Sequence, residues 1–342
     1  MAKAKFTALL LLAAFFLLPV FSFAAEIGEE EIVDENVPKI YIEEEDEYTF
    51  FQRGKVKNML AVSVGYDNNA HLDSERTGDA FGQVFFKTNF ISPITRDKRV
   101  QGILGYEFMN LMYAGESGLD VIRNSLTAGV ENKINKEWEL RGGYRMDAYS
   151  YINSGSDKFF ENSLYWNVRQ NLPKKMYHQL GYEVAFKNYP SRHTRLTATI
   201  DTDKKRNDWR NGMNYEVGKY FEKDLIRLSY DYFNNNSNEH FLNYYDYDSY
   251  KITASVTHLF NDKVFGLVSF SRQYRGYRSR TITLDTGVKE HDRTYLFATA
   301  LYYNFNKQLT FGLSYTYREN VSNEPIENYS GSLIAISSYY RF

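Results

Sequence analysis

The sequence predicts an all-β fold: a transmembrane antiparallel up-and-down β-barrel of about fourteen strands, with sixteen as the alternative. Three observations carry this. From Lys57 to Phe342 the chain runs in segments of alternating polarity, longer than the roughly 5–6 residues usual for soluble strands. The polar separators come in two lengths, short and long in strict rotation, as outer-membrane barrels require. The last ten residues, LIAISSYYRF (Leu333–Phe342), alternate to the end and stop on an aromatic.

Composition agrees. The 342 residues include 30 Tyr and 25 Phe but 3 Trp. Tyr and Phe favour strands, and Tyr suits a boundary between apolar and aqueous surroundings. A mean hydropathy of −0.53 excludes a helical membrane bundle. A net charge of −2 gives no sign of a nucleic-acid partner. The chain has no cysteine, so an exported form cannot use disulfides.

Residues 1–24 read as a signal peptide. Lys3 and Lys5 precede an apolar run from Phe6 to Phe23, broken by Pro19, and the small Ser22 and Ala24 suit cleavage after Ala24. A membrane anchor helix is the alternative. No second apolar run approaches the ~20 residues of a spanning helix. Residues 25–56 read as an acidic, disordered periplasmic arm. Its EEEIVDENVPKIYIEEEDE stretch repels itself and buries little, with Lys39 the lone cation there. It is either a solvated linker or a segment that docks on a basic surface or enters a pore.

Residues 57–342 form the expected barrel. The strands fall near 57–67, 80–91, 98–112, 121–133, 137–150, 158–171, 176–189, 206–220, 225–236, 247–260, 264–277, 292–305, 309–319 and 329–342. RLTATID, beginning at Arg195, also alternates and would make sixteen strands as an extra hairpin. TITLDTG, beginning at Thr281, would extend its hairpin above the membrane. An even count places both termini on the periplasmic side.

Successive strand residues point to opposite faces. In EWELRGGYRMDAY (Glu137–Tyr149), Glu139, Arg141, Gly143, Arg145 and Asp147 share one face; Trp138, Leu140, Tyr144 and Met146 share the other. In the last strand Ile334, Ile336, Ser338, Tyr340 and Phe342 face lipid. Tyr340 and Phe342 are the candidate C-terminal barrel signal, placing an aromatic at the periplasmic interface.

The same alternation puts a polar face of mixed sign inside. The lumen-lining candidates are Lys87, Glu107, Arg123, Glu131, Arg141, Arg145, Asp147, Arg169, Glu183, Lys187, Arg210, Glu216, Arg227, Asp231 and Arg318. Lys133, Glu137, Glu139, Glu161, Lys251, Arg275 and Arg341 share that face. A polar lumen holds water and passes hydrophilic solutes, and charged rings set ion preference. The slight cation excess suits a mild anion preference. The alternative is that the charges pair across the wall and only stabilise it. Inward Tyr165 and Tyr339 suit stacking on sugar rings.

Catalysis is not expected. The histidines are His71, His178, His193, His240, His258 and His291, four of them in expected loops. His291–Asp292 near a rim offers a His and an acid, but a nucleophile or base needs further hydrogen-bonded partners. GxSxG, HExxH and phosphate-loop motifs are absent from the sequence. No metal or other cofactor is expected. Asp246 and Asp248 offer at most a weak calcium site.

Two stretches carry a resemblance: LAVSVGYDNNAHLDSE (Leu60–Glu75) and SYTYRENVSNEPIENYSGSLIAISSYYRF (Ser314–Phe342). With Gly65–Asn69, Tyr315, Tyr317, Asn320, Ser322 and Phe342 in place, the chain resembles the outer-membrane β-barrel porins found beside exopolysaccharide assembly systems. That resemblance implies a passive or polysaccharide-linked outer-membrane pore and supplies no catalytic residues. The expected function is a channel for small hydrophilic solutes or for an exported polysaccharide. A closed barrel acting through its surface is the alternative, and a barrel hydrolase comes third. Expected partners are outer-membrane lipids, the barrel insertion machinery, and the solute or polysaccharide.

Overall fold

Alternating polarity on one strand becomes two surfaces once neighbouring strands pair in register. The computed structural model describes residues 54–342 apart from 96, 153–157, 198, 240, 242–243 and 286. The expected signal peptide, and the acidic arm up to residue 53, lie outside the described residues.

Fourteen strands follow in chain order: β1 Lys55–Asp67, β2 Asp79–Pro93, β3 Val100–Tyr113, β4 Val121–Lys133, β5 Trp138–Tyr151, β6 Phe159–Leu172 and β7 Met176–Arg195; then β8 Asp201–Tyr220, β9 Asp224–Ser237, β10 Tyr247–Leu259, β11 Val264–Thr281, β12 Lys289–Asn304, β13 Leu309–Ser322 and β14 Tyr329–Arg341. Each pairs antiparallel with its sequence neighbours, and β14 closes on β1 from Met59↔Arg341 to Asp67↔Leu333. Closure removes both edges, whose unpaired backbone groups hydrocarbon would penalise. β1 begins at Lys55, inside the expected arm, because Lys55 and Val56 already pair with Ile91 and Phe90.

The count is fourteen, not sixteen. RLTATID makes no extra pair of wall strands: β7 runs on to Arg195 and β8 starts at Asp201, so one hairpin is lengthened. Its register breaks between Tyr189 and His193, across Pro190, which has no N–H for a ladder. TITLDTG behaves as expected at its first residue: Thr281 pairs with Lys289 after a register shift beyond Gly276.

The short turns repeat one device. Asn135, Asn261 and Asn306 each accept, through Oδ1, the backbone N–H groups two and three residues on, at 2.8–3.0 Å. An Asx side chain thereby closes a turn locally. Ile134, Phe260 and Phe305, one residue earlier, stand exposed on the outside. In the turn after β6, Lys174 and Lys175 both have a φ of 58°.

The outer surface is an apolar band. Leu126, Leu164, Leu228, Ile252 and Ile336 lie half-exposed or more on the outward face. Apolar surface this continuous is a liability in water and a requirement in hydrocarbon. At its long-loop side five outward tyrosines reach diagonally across their hairpins. Tyr106 donates to Asn124 (2.9 Å), Tyr144 to Asn162, Tyr182 to Asn211 (3.2 Å) and Tyr232 to Asp248 (3.1 Å), while Tyr315 bonds Ser332 (3.0 Å). In each case the partner sits two residues nearer the loops than the residue opposite the tyrosine. Ring in the band and hydroxyl toward polar side chains is how tyrosine marks an interface.

Candidate functional site

The inward face of β2 to β8 carries a ladder of opposite charges. Lys87 on β2 meets Glu107 on β3 at 2.5 Å. Arg123 on β4 donates to Asp147 on β5 from Nε (2.9 Å) and Nη2 (2.7 Å). Arg145, two residues before Asp147, donates to its other oxygen at 2.9 Å and reaches Glu183 on β7 at 3.4 Å. Arg210 on β8 contacts Glu161 on β6 (3.1 Å) and Glu183 (3.2 Å), and Lys187 closes on Glu161 at 3.0 Å. Apart from Arg145 and Asp147, which lie two residues apart on β5, the pairs join adjacent or next-adjacent strands, because same-face neighbours in a sheet are one strand spacing apart.

Two of the ladder's four carboxylates are less open to the lumen than its arginines, while Glu107 and Glu183, at 27% and 30% exposed, are as open as they are. The side chains of Asp147 and Glu161 are 3% and 8% exposed, while those of Arg123, Arg145 and Arg210 are 24%, 31% and 26% exposed. Two carboxylates are shut into the wall and the guanidinium groups cover them. A guanidinium has five N–H donors, so each arginine has donors beyond those it gives to the acids.

What lies inside is a cavity of about 660 Å³. Of the predicted lumen residues, Lys87, Glu107, Arg123, Arg141, Arg145, Glu183, Arg210 and Asp231 line it. Lys251 also lines it, 3.8 Å from Asp231, whose other oxygen accepts from Asn214 at 2.6 Å. Tyr165 lines it too. Its hydroxyl lies over β5 and β4, where a Cβ on Gly143 or Gly129 would fall 2.8 or 3.0 Å from it. The two glycines leave room for the hydroxyl there.

The remaining candidates sit elsewhere on the inward face. Asp147 lies behind the arginines. Glu131 faces Lys133 at 3.8 Å. Arg169 stacks over the Tyr177 ring (3.9 Å), and Tyr177 donates to Glu216 at 2.6 Å, toward the short-turn end. Arg227 buries Nε without a hydrogen-bond partner. Lys187 belongs to the ladder, and Arg318 to the barrel seam. Tyr340 and Phe342 stack at 5.3 Å, and Phe342 exchanges both backbone hydrogen bonds with Asn58. Charge-based reasoning passed over Asn89, Asn167 and Gln273, which also line the cavity. Their inward position in the alternation was the available signal.

At the long-loop end a second cluster draws three hairpins together. Glu239 accepts the backbone N–H of Arg195 at 2.7 Å. The ring of Tyr244 lies between Arg195 (4.9 Å) and Arg280 (4.3 Å), and Arg206 packs on Tyr245 at 3.2 Å. Arg280 also binds the buried Glu290 at 2.6 Å. The tyrosines after β9 therefore fold inward over the mouth. His291 and Asp292 point apart: the His291 ring neighbours Tyr274 and the Asp292 carboxylate faces Arg275. Asp246 accepts from the Ser237 N–H and Asp248 from Arg278, which engages the acids considered for calcium.

No protein-family model matches the chain, and no curated protein matches it. Solved structures do. An in-vitro folded OmpT, an outer membrane protein of Vibrio cholerae, is similar with a TM-score of 0.50 and 9% identity, over 85% of this chain and 98% of that one. A Pseudomonas aeruginosa FadL homologue has a TM-score of 0.49 and 9% identity, over 83% and 90%. An anion-selective porin from Comamonas acidovorans has a TM-score of 0.46 and 8% identity, over 84% and 99%. At such identities the likeness concerns the fold alone, which is that of an outer-membrane β-barrel.

Proposed function

We propose that this chain is an outer-membrane channel for small hydrophilic solutes, with both termini on the periplasmic side. The observation that carries the proposal is the charge-lined cavity inside a closed barrel whose outside is apolar. A purely structural barrel has no need to leave guanidinium groups open to the lumen while two of their carboxylates, Asp147 and Glu161, are shut into the wall. In this reading the short turns face the periplasm, the signal peptide directs export, and Tyr340 and Phe342 address the insertion machinery. Assistance to the export of a polysaccharide is a narrower form of the same proposal, motivated by the resemblance at Gly65–Asn69 and Tyr315–Ser322.

A second reading is a closed barrel that acts through its surface. The inward-folded Tyr244 and Tyr245 favour it. Planar-bilayer recording on the chain from Ala25 onward separates the two. Steady single-channel steps support the channel. Silence from protein shown to be folded by heat-modifiable gel migration would leave the surface-acting barrel.

A further inference from the structure

Six cations line the cavity: Lys87, Arg123, Arg141, Arg145, Arg210 and Lys251. Five lie within 4 Å of a carboxylate. Arg141 does not. Its side chain is exposed on the inward face of β5 and makes no ion pair among the described residues. Glu131 stands opposite it in register on β4, but that carboxylate is turned to Lys133. On the other side Arg141 is opposite Asn167, and Tyr165 is the next inward residue of β6.

This juxtaposition has the chemistry of a ligand site. A free guanidinium offers a planar fork matched to a carboxylate, held bidentately. Beside it Tyr165 lines the cavity and reaches its hydroxyl over Gly143 and Gly129, offering an aromatic ring with a polar tip. The Asn167 and Asn89 amides line the same cavity and can each donate to and accept from hydroxyl groups. The arginines above the buried Asp147 and Glu161 give the surroundings a positive field, which favours an anion and disfavours a cation. The cavity volume falls in the range usual for small-molecule sites.

We propose that Arg141 and Tyr165 form a lumen site for a carboxylated, hydroxyl-rich anion of sugar size, a uronic acid being the chemical class. The site deepens the channel reading as its specificity element, though it exists in the folded barrel whether or not ions pass. The carboxylate sits on Arg141, the ring on Tyr165, and the hydroxyls on the neighbouring amides. A free sugar acid and a residue within an acidic polysaccharide present the same groups.

Isothermal titration of the detergent-folded chain from Ala25 tests this with galacturonate, trigalacturonate and neutral maltotriose. Saturable binding of the uronates is expected, weakened about tenfold or more by Arg141→Gln and absent for maltotriose. Tyr165→Leu is expected to weaken binding while leaving the preference for acid over neutral sugar. Tighter binding of trigalacturonate than of the monomer assigns the site to a chain, and equal binding to a free acid. Equal affinity in Arg141→Gln, equal affinity for maltotriose, or no heat up to about 10 mM uronate in folded protein overturns the site. Conductance on the same preparation keeps the two proposals apart. Current without uronate binding removes the site alone, and binding without current removes the channel alone.

Discussion

Arg318 on β13 reaches across the whole width of β14 to Asp67 on β1, with Nη2 2.6 Å from Oδ2. The same nitrogen donates to the Asn69 carbonyl at 2.7 Å. The crossing is open because the β14 residue opposite Arg318 is Gly331, where a Cβ would stand 2.8 Å from the Asn69 Cβ. Asp67 is fully buried, so this ion pair locks the first strand to the last two. Around it Asn68 accepts the Ser332 N–H at 2.6 Å, and Asn69 donates to the Ser330 carbonyl at 3.0 Å. The two stretches that carry the family resemblance thus meet at the barrel seam.

Removing one side of that pair leaves a buried charge unpaired. Arg318→Ala is expected to cost about 3 kcal/mol or more in reversible urea unfolding. Asp67→Asn combined with Arg318→Met should unfold closer to wild type than Arg318→Ala alone. If the double variant is the least stable of the set, the pair is not what holds the seam. Gly331→Val should impair folding on its own, read as loss of the heat-modifiable gel band.

The outward band predicts depth-dependent costs. Leu164 is 58% exposed on that band, and Asn162, two residues nearer the loops, accepts the Tyr144 hydroxyl. Leu164→Arg should destabilise the barrel in lipid vesicles by about 2–4 kcal/mol, and Asn162→Arg by about 1 kcal/mol. Equal penalties would mean that the tyrosine ring does not mark the interface.

The turn after β6 holds Lys174 and Lys175 in a left-handed conformation that lysine disfavours. Asn-Gly is the preferred pair where two consecutive residues take positive φ. Lys174→Asn with Lys175→Gly should raise stability by roughly 1 kcal/mol, measured as a higher urea midpoint at unchanged slope.

The short turn between β2 and β3 is acid-sensitive. Thr95 and Arg99 donate to Asp97 and lower its pKa from 3.8 to about 2. A lowered carboxyl pKa stabilises the turn above the unfolded value, and that contribution is lost as pH falls through the folded one. The turn should therefore hold at pH 4 and open locally toward about pH 2, followed by the Asp97 carboxyl shift in NMR. A midpoint near 4 would show that the Thr95 and Arg99 contacts do not persist in solution.

If the lumen conducts, its exposed guanidinium groups should bias it toward anions. Reversal potentials in a KCl gradient should favour chloride, and Arg210→Glu should move them toward potassium. The acidic stretch before β1 is proposed to enter this positive lumen. A chain lacking residues 25–53 should then pass a larger or steadier current at low salt, with the difference shrinking as salt screens the attraction. Identical currents would remove that role.

The sequence by itself determined the strand pattern and the alternation of side chains along each strand. The expected 121–133 is β4 as observed, and 176–189 needed only its outer extension to Arg195. Side-chain direction in a strand has a period of two, a local property that the chain writes directly. The structure decided what depends on neighbours. It made RLTATID the end of one hairpin rather than two more strands. It left Arg141 free while Arg123 and Arg145 share Asp147, and it brought the Tyr165 hydroxyl over two glycines and Arg318 across Gly331. A residue's side of the sheet follows from its own strand. Its partner follows from the register of every adjacent pair and from closure of the ring, which no single strand contains.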